Sequence, residues 1–124
     1  MLCLDSEVFS ALSTDITLIN LLGGIKVYQP DQPNPAPDKN KFKAVVFEEI
    51  SDPPASFADN KEVATRITYR ILVYNWESLL PIMNAVERIM IGINFVRHSS
   101  SRLHELPVGM RGKEILFITL RECV

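Results

Sequence analysis

The chain has two histidines, His98 and His104, six residues apart. On a continuous strand such a spacing puts both imidazoles on one face, where they could share a metal ion that needs three or four ligands. The nearest further ligand type, Glu105, would then point the other way. Two solvated histidines are the reading that this spacing supports better. Ser99, Ser100 and Ser101 set hydroxyls beside His98, but a nucleophilic serine needs an oriented base, and a run of serines is ordinarily a turn or an edge. Glu48 and Glu49 are consecutive on an expected strand, so they face opposite sides and cannot work as a carboxylate pair on one substrate. Gly23 and Gly24 are adjacent and lead into a strand, not a helix, so they read as a helix stop and not as a phosphate loop. No catalytic, metal or cofactor constellation is expected, and the chain is read as something other than an enzyme. A small hydrolase or metal enzyme built on His98 and His104 is one rival.

Charge points the same way. The formal net charge of the 124 residues is −2, which gives no general field for capturing phosphate backbones. The most basic part, Arg97, Arg102, Arg111 and Lys113, is offset only by Glu105 and Glu114. It could touch DNA or an acidic protein surface, but no aromatic residues interleave it to stack single-stranded bases, and a solvated rim is the default. Apolar residues make up 47% and charged residues 23%, a globular balance. One domain over residues 1–124 is expected, long enough to bury roughly two thirds of the surface its unfolded chain exposes. Cys3 and Cys123 are read as buried thiols. The start, with Asp5 and Glu7 and no Lys or Arg, lacks the basic opening of a signal peptide. No apolar run nears the roughly 20 residues that cross a bilayer. A soluble protein made in a cytoplasm, with no membrane partner, is therefore expected.

Hydrophobic spacing supplies the elements that must position these residues. Val8, Phe9, Leu12, Ile16, Ile19 and Leu22 make one helical stripe over residues 6–22, capped by Asp5 or Ser6 and stopped at Gly23-Gly24, with Thr14-Asp15 able to kink it. Strands follow at 25–29, 42–50 and 62–76. In the last, Val63, Ile67, Tyr69, Ile71 and Val73 share one face, while Arg66, Thr68 and Arg70 share the other and give way to Leu72, Tyr74 and Trp76. A second helix is expected over 78–94, with Ser78 as cap and Pro81 in the first turn. Two strands within 95–106 and 114–123, joined by a turn at 107–113, complete the order α-β-β-β-α-β-β. The expected fold is α+β: a mixed, mostly antiparallel sheet of about five strands with two helices on one face.

Two segments stand outside this pattern. Residues 30–41 hold Pro30, Pro33, Pro35 and Pro37 with Asp31, and are read as a wet, extended, projecting arm. Residues 51–61, broken by Pro53-Pro54, are read as a second long loop.

The runs at 44–47, 71–74 and 115–120 scarcely alternate, which is the pattern of strands covered on both faces. Two helices cover one face of such a sheet. Leaving large side chains in water costs about 1.5–3 kcal/mol each relative to burial, so a second copy or a partner is expected against the other face unless the sheet coils upon itself. Leu72, Tyr74 and Trp76, with Arg66 and Arg70 at the margin, are the candidate interface. A ligand-binding or regulatory module acting as a dimer would also suit such a sheet.

The stretch from Val8 to Pro33, a leading helix with a Leu-Leu-Gly stop and then a strand carrying Tyr and Pro, resembles the opening of the tail-completion, or tail-terminator, proteins of long-tailed bacteriophages and prophages. The segments 42–52, 65–78 and 114–123 are similar to that family's second, central and closing strands, and 79–90 is similar to its following helix. The likeness covers nearly the whole chain and brings no catalytic residues. It implies a virion protein that assembles into a ring, typically a hexamer, at the head-proximal end of the tail. Such a ring would contact the tail-tube protein and the head connector and pass DNA through its lumen without specific binding, after assembly in the host cytoplasm. The proline arm is longer than the pattern needs, and its role as a docking loop is an expectation from this chain alone.

Overall fold

A computed structural model describes residues 4–29, 43–51, 54–58, 61–103 and 110–122. The arm at 30–41, with Pro30, Asp31, Pro33, Pro35 and Pro37, lies outside the described residues, as do Cys3, Cys123 and His104.

The first helical stripe folds as two helices. α1 spans Asp5–Ser13 and α2 spans Ile16–Leu22. The break falls at Thr14-Asp15, where Asp15 turns extended and its carboxylate accepts the Leu18 N–H at 3.0 Å, restarting the helix with a side-chain cap. α2 ends where Gly23 adopts φ 75°, and the Gly24 N–H reaches back to the Ile19 carbonyl at 3.0 Å. That left-handed turn is cheap for glycine because it has no Cβ.

Among the described residues six strands follow: β1 Val27–Tyr28, β2 Ala44–Ser51, β3 Pro54–Ala58, β4 Lys61–Asn75, β5 Val96–Arg102 and β6 Arg111–Glu122, with α3 Leu80–Gly92 between β4 and β5. They form one mixed sheet in the order β1-β2-β4-β6-β5, parallel only between β1 and β2, with β3 pairing β4 beyond the end of β2. The α+β class and the mostly antiparallel sheet are as expected. Three differences are instructive. The segment 51–61 contains a strand: β3 pairs with β4 with register shifts at Pro54/Ser56 and Ser56/Phe57, and proline is tolerated there because it opens an irregular strand. β6 starts at Arg111, which shortens the expected turn at 107–113. β1 is only two residues long, since pairing to β2 runs from Val27 to Tyr28 alone.

β4 is the spine. Twelve of its fifteen residues pair with β6 without a register break, from Ala64↔Glu122 to Asn75↔Arg111. Ile67, Tyr69, Ile71 and Val73 are all at 0% exposure and share a face with Val45, Phe47, Ile115 and Phe117. Val8 and Leu12 of α1, Leu18 and Leu22 of α2, and Ile82, Val86 and Met90 of α3 join them in a single core. All three helices therefore cover the same side. Tyr69, the largest side chain in that core, donates its hydroxyl to the Asp5 carboxylate and packs edge-on to Phe95, with ring centroids 5.7 Å apart.

Buried Asn75 shapes the entry to α3, donating to the Ser78 carbonyl at 2.9 Å and accepting the Glu77 N–H at 3.2 Å. At the exit, Asn94 takes φ 70°, the Phe95 N–H bonds the Met90 carbonyl at 2.9 Å, and the Thr119 hydroxyl donates to the Asn94 carbonyl at 2.7 Å. Asparagine is among the few side chains that tolerate this backbone region. The two turns fix α3 against β4 at one end and β6 at the other.

Candidate assembly surface

The face of the sheet opposite the helices carries Ala44, Val46 and Glu48 from β2, Arg66, Thr68, Arg70, Leu72 and Tyr74 from β4, and Glu114, Leu116, Ile118 and Leu120 from β6. Alternation along each strand and the cross-strand register place them together. No helix among the described residues covers this face.

Its middle is polar. Arg70 donates through Nη2 to Glu48, its direct cross-strand partner, and its Nη1 lies 3.6 Å from the Glu114 carboxylate. One cation thus serves two carboxylates. The Arg70 Nε is enclosed and has no hydrogen-bond partner among the described residues. Side-chain exposures of 37% for Arg70, 32% for Glu48 and 25% for Glu114 leave the cluster within reach of water.

On one side of this cluster the apolar residues are largely hidden. Ala44 is at 0% and Val46 at 7% exposure, in register with Tyr74 and Leu72 respectively, and Tyr28 stands beside Val46. Leu72, Tyr74 and Trp76 are half-buried. Burial pushes the Tyr74 phenol above its ordinary pKa, against a smaller pull downward from the Arg70 charge. Trp76 follows the end of β4; the Lys43 ammonium sits 5.9 Å from its ring centroid, and its indole Nε1 is enclosed without a partner among the described residues. Here the sheet hides much of its own second face.

On the other side it does not. Leu120 is 63% exposed and Val96, the first residue of β5 and cross-strand partner of Ile118, is 68% exposed. Val96, Ile118 and Leu120 line an open groove of about 500 Å³ rimmed by Arg97 and His98. Ile50, 45% exposed, lies at the same end of β2.

Of the five interface candidates, Arg70 is central rather than marginal, Leu72, Tyr74 and Trp76 form a half-hidden cluster, and Arg66 is exposed in register with Leu120. Val96, Ile118 and Leu120 were not among them. The signal was present, since the alternate positions 116, 118 and 120 are all apolar on the face opposite Ile115 and Phe117. His98 is the bulge residue between the pairs Arg97↔Phe117 and Ser99↔Leu116, exposed on an edge strand. Glu48 and Glu49 face opposite sides as expected, since Glu49 is paired with Tyr69 on the helix side. Among the described residues no group of three His, Cys, Asp or Glu side chains is placed to hold a metal ion. Nor is any helix long and apolar enough to cross a membrane.

The basic residues divide. Arg97 pairs with Glu87 at 3.5 Å, whereas Arg102 and Lys113 are direct cross-strand partners and, with Arg111, edge a cleft of about 490 Å³ beside Leu79 at the start of α3. Elsewhere Arg88 holds both oxygens of Asp15 at 2.9 and 3.0 Å. That bond, and after it the Leu18 N–H, keep the Asp15 carboxyl below its ordinary pKa.

Fourteen chains of solved structures match this fold. One of them belongs to a structure described as the virion of a native gene transfer agent particle; it aligns with a TM-score of 0.59 and 18% identity over 94% of this chain and 92% of that chain. At that identity the likeness establishes a shared fold, end to end on both sides. No protein-family model and no curated protein sequence matches the chain.

Proposed function

We propose that this protein is a structural subunit of a phage-like virion, and that within it the chain serves as a head–tail joining, or tail-terminator, protein forming a ring on the tail tube. The observation that carries the reading is the near-complete two-way alignment with a chain of a virion particle, at 94% and 92% coverage. The open sheet face supports it, because a face bearing Leu120 at 63% and Val96 at 68% exposure suits a protein that works in contact with others. The resemblance of the Val8–Pro33 stretch and of the strands at 42–52, 65–78 and 114–123 to tail-completion proteins supplies the finer role. In this role the protein binds copies of itself, probes neither substrate nor cofactor, and meets the tail tube and the head connector. The arm at 30–41 is a docking loop to one of those two.

The test is genetic and visual. Removing the gene from a particle-producing cell is expected to leave full heads detached from tails, and tails of uneven length under negative stain. Deleting residues 30–41 is expected to spare self-assembly and weaken attachment. Normal particle yield and tail length without the chain would overturn the proposal.

A further inference from the structure

The four residues that make the most basic stretch of the sequence separate in the fold. Arg97 is taken by Glu87 at 3.5 Å. The other three converge. Arg102 and Lys113 are direct cross-strand partners, so their side chains leave the same face of the sheet, and Arg111 stands on that face two residues from Lys113, about 7 Å along the strand. They edge a cleft of about 490 Å³ whose lining also includes Leu79, Leu103 and Met110. None of these three cations has an ion pair among the described residues. Neighbouring acids along the strands do not answer them: Glu114 projects to the opposite face, where it meets Arg70, and Glu77, just beyond β4, forms no ion pair among the described residues. Residues 102–113 hold three cations and a single carboxylate, Glu105, so positive charge is in excess here whatever Glu105 meets. Like charges directly across two strands cost stability, and the chain as a whole carries −2, so this corner runs against both the local rule and the overall balance. Departures of that kind mark places where function offsets the cost.

We infer that the cleft edged by Arg102, Arg111 and Lys113 binds the phosphate backbone of duplex DNA without reading its sequence. Two features favour phosphates over the carboxylates of an acidic protein. The three charges are crowded together, and duplex DNA, with one negative charge per about 1.7 Å of its axis, is dense enough in charge to meet all of them at once. The lining residues include no tryptophan or tyrosine, the anchors in which protein contacts concentrate their energy. Arginine forks and a lysine ammonium are suited to phosphate oxygens. The lack of aromatic rings also removes any platform for unpaired bases, so the contact is with the backbone and single strands gain nothing. The inference goes beyond the virion role and stands on the cleft alone. In a virion subunit, so few phosphate contacts would let DNA slide past.

Fluorescence anisotropy with a labelled duplex of about 30 base pairs, titrated at about 20 to 200 mM salt, tests it. Three phosphate contacts predict that log K falls with log salt at a slope of about −2.7, and two duplexes of unrelated sequence should bind alike. Arg102→Gln, Arg111→Gln and Lys113→Gln should each weaken binding and take about 0.9 from the slope, and the triple variant should not bind. Arg102→Lys keeps the charge and should keep the slope. Arg66→Gln, which lowers the net charge equally on the opposite face, should bind as wild type does. Arg102 and Arg111 are exposed and Lys113 is half-buried, so the variants should keep the wild-type circular dichroism spectrum. Melting should be unchanged or, for Arg102→Gln and Lys113→Gln, raised as the cross-strand repulsion is relieved. A wild type that leaves the duplex free at about 20 mM salt, or a triple variant that binds as wild type does, overturns the inference. So does Arg66→Gln weakening binding as much as Lys113→Gln, since the effect is then one of net charge. Displacement of the duplex by polyglutamate at equal charge concentration also overturns it, since the cleft then suits an acidic protein. None of these outcomes depends on whether the chain forms a ring.

Discussion

Arg70 offers the sharpest quantitative test of how the open face is held together. Replacing it with alanine removes a charge-assisted bond to Glu48 and a longer contact, at 3.6 Å, to Glu114, and leaves two carboxylates facing one another across the sheet with no cation between them. A hydrogen bond to a charged group is worth about 1.5–3 kcal/mol net, and exposed pairs about 0–1. With a third of the Arg70 and Glu48 side chains in water, the cluster falls between these limits, at about 1–2 kcal/mol. A 124-residue domain unfolds with an entropy of about 0.26 kcal/mol/K, so the melting midpoint should fall by about 4–8 °C in a circular dichroism scan. Strong salt should shrink the difference, since screening weakens the wild-type cluster more than its remnant. A triple variant, Arg70→Met with Glu48→Gln and Glu114→Gln, strands no charge and should recover stability to within about 0.5 kcal/mol of wild type. If Arg70→Ala melts together with wild type, the three residues are independent solvated side chains, and the argument that they organise the face is wrong.

Three further outcomes are expected. Asp15→Ala should cost about 1 kcal/mol in urea titrations at neutral pH through loss of the α2 cap. Because the folded Asp15 carboxyl lies below its ordinary pKa, its contribution is complete above the usual carboxylate range and disappears as pH falls through the folded value; the gap to wild type should close below about pH 4, and a gap as wide at pH 3 as at pH 7 contradicts this. Asn94→Gly should be neutral within about 0.5 kcal/mol, while Asn94→Val should lose about 1–2 kcal/mol at φ 70°, with equal stability of the two variants counting against a required left-handed residue. Phe117→Ala, at 0% exposure beneath the helices, should cost about 3–5 kcal/mol in denaturant midpoint terms, and a cost under 1 kcal/mol would mean the core does not close over β6.

Periodicity made the helix-facing side of the sheet legible. Val63 aside, whose side chain lies outside the described set, the predicted stripe Ile67, Tyr69, Ile71 and Val73 is buried throughout, because one face of β4 is apolar at each alternate position from 67 to 73. The Thr14-Asp15 break was also readable, since a carboxylate immediately before an apolar turn is a cap in waiting. β3 was not. Two prolines argue against a strand on local grounds, and only the long β4, offering unpaired backbone beyond the end of β2, recruits Pro54–Ala58. The open face was half legible. Apolar runs announced that something must cover it, but not that Ala44 and Val46 would be screened by their own neighbours while Val96 and Leu120 stayed out. That difference depends on which side chains stand in register across strands, and register is set by tertiary pairing rather than by any one segment.

The sheet order also bears on how the chain reaches this fold. β5 precedes β6 in the chain and joins the sheet only through it, so the β5–β6 pair reaches the rest of the sheet through β6 against β4. Every rung between β4 and β6 joins residues distant in sequence, from Asn75 with Arg111 to Ala64 with Glu122, so loop-closure entropy must be met before most of the core exists. The α1–β4 portion alone would expose Ile71 and Tyr69 along a bare strand edge, an invitation to pair with another unfinished chain. The edge of β4 is therefore closed only when β6 is in place, and aggregation during refolding is expected to fall as that pairing forms.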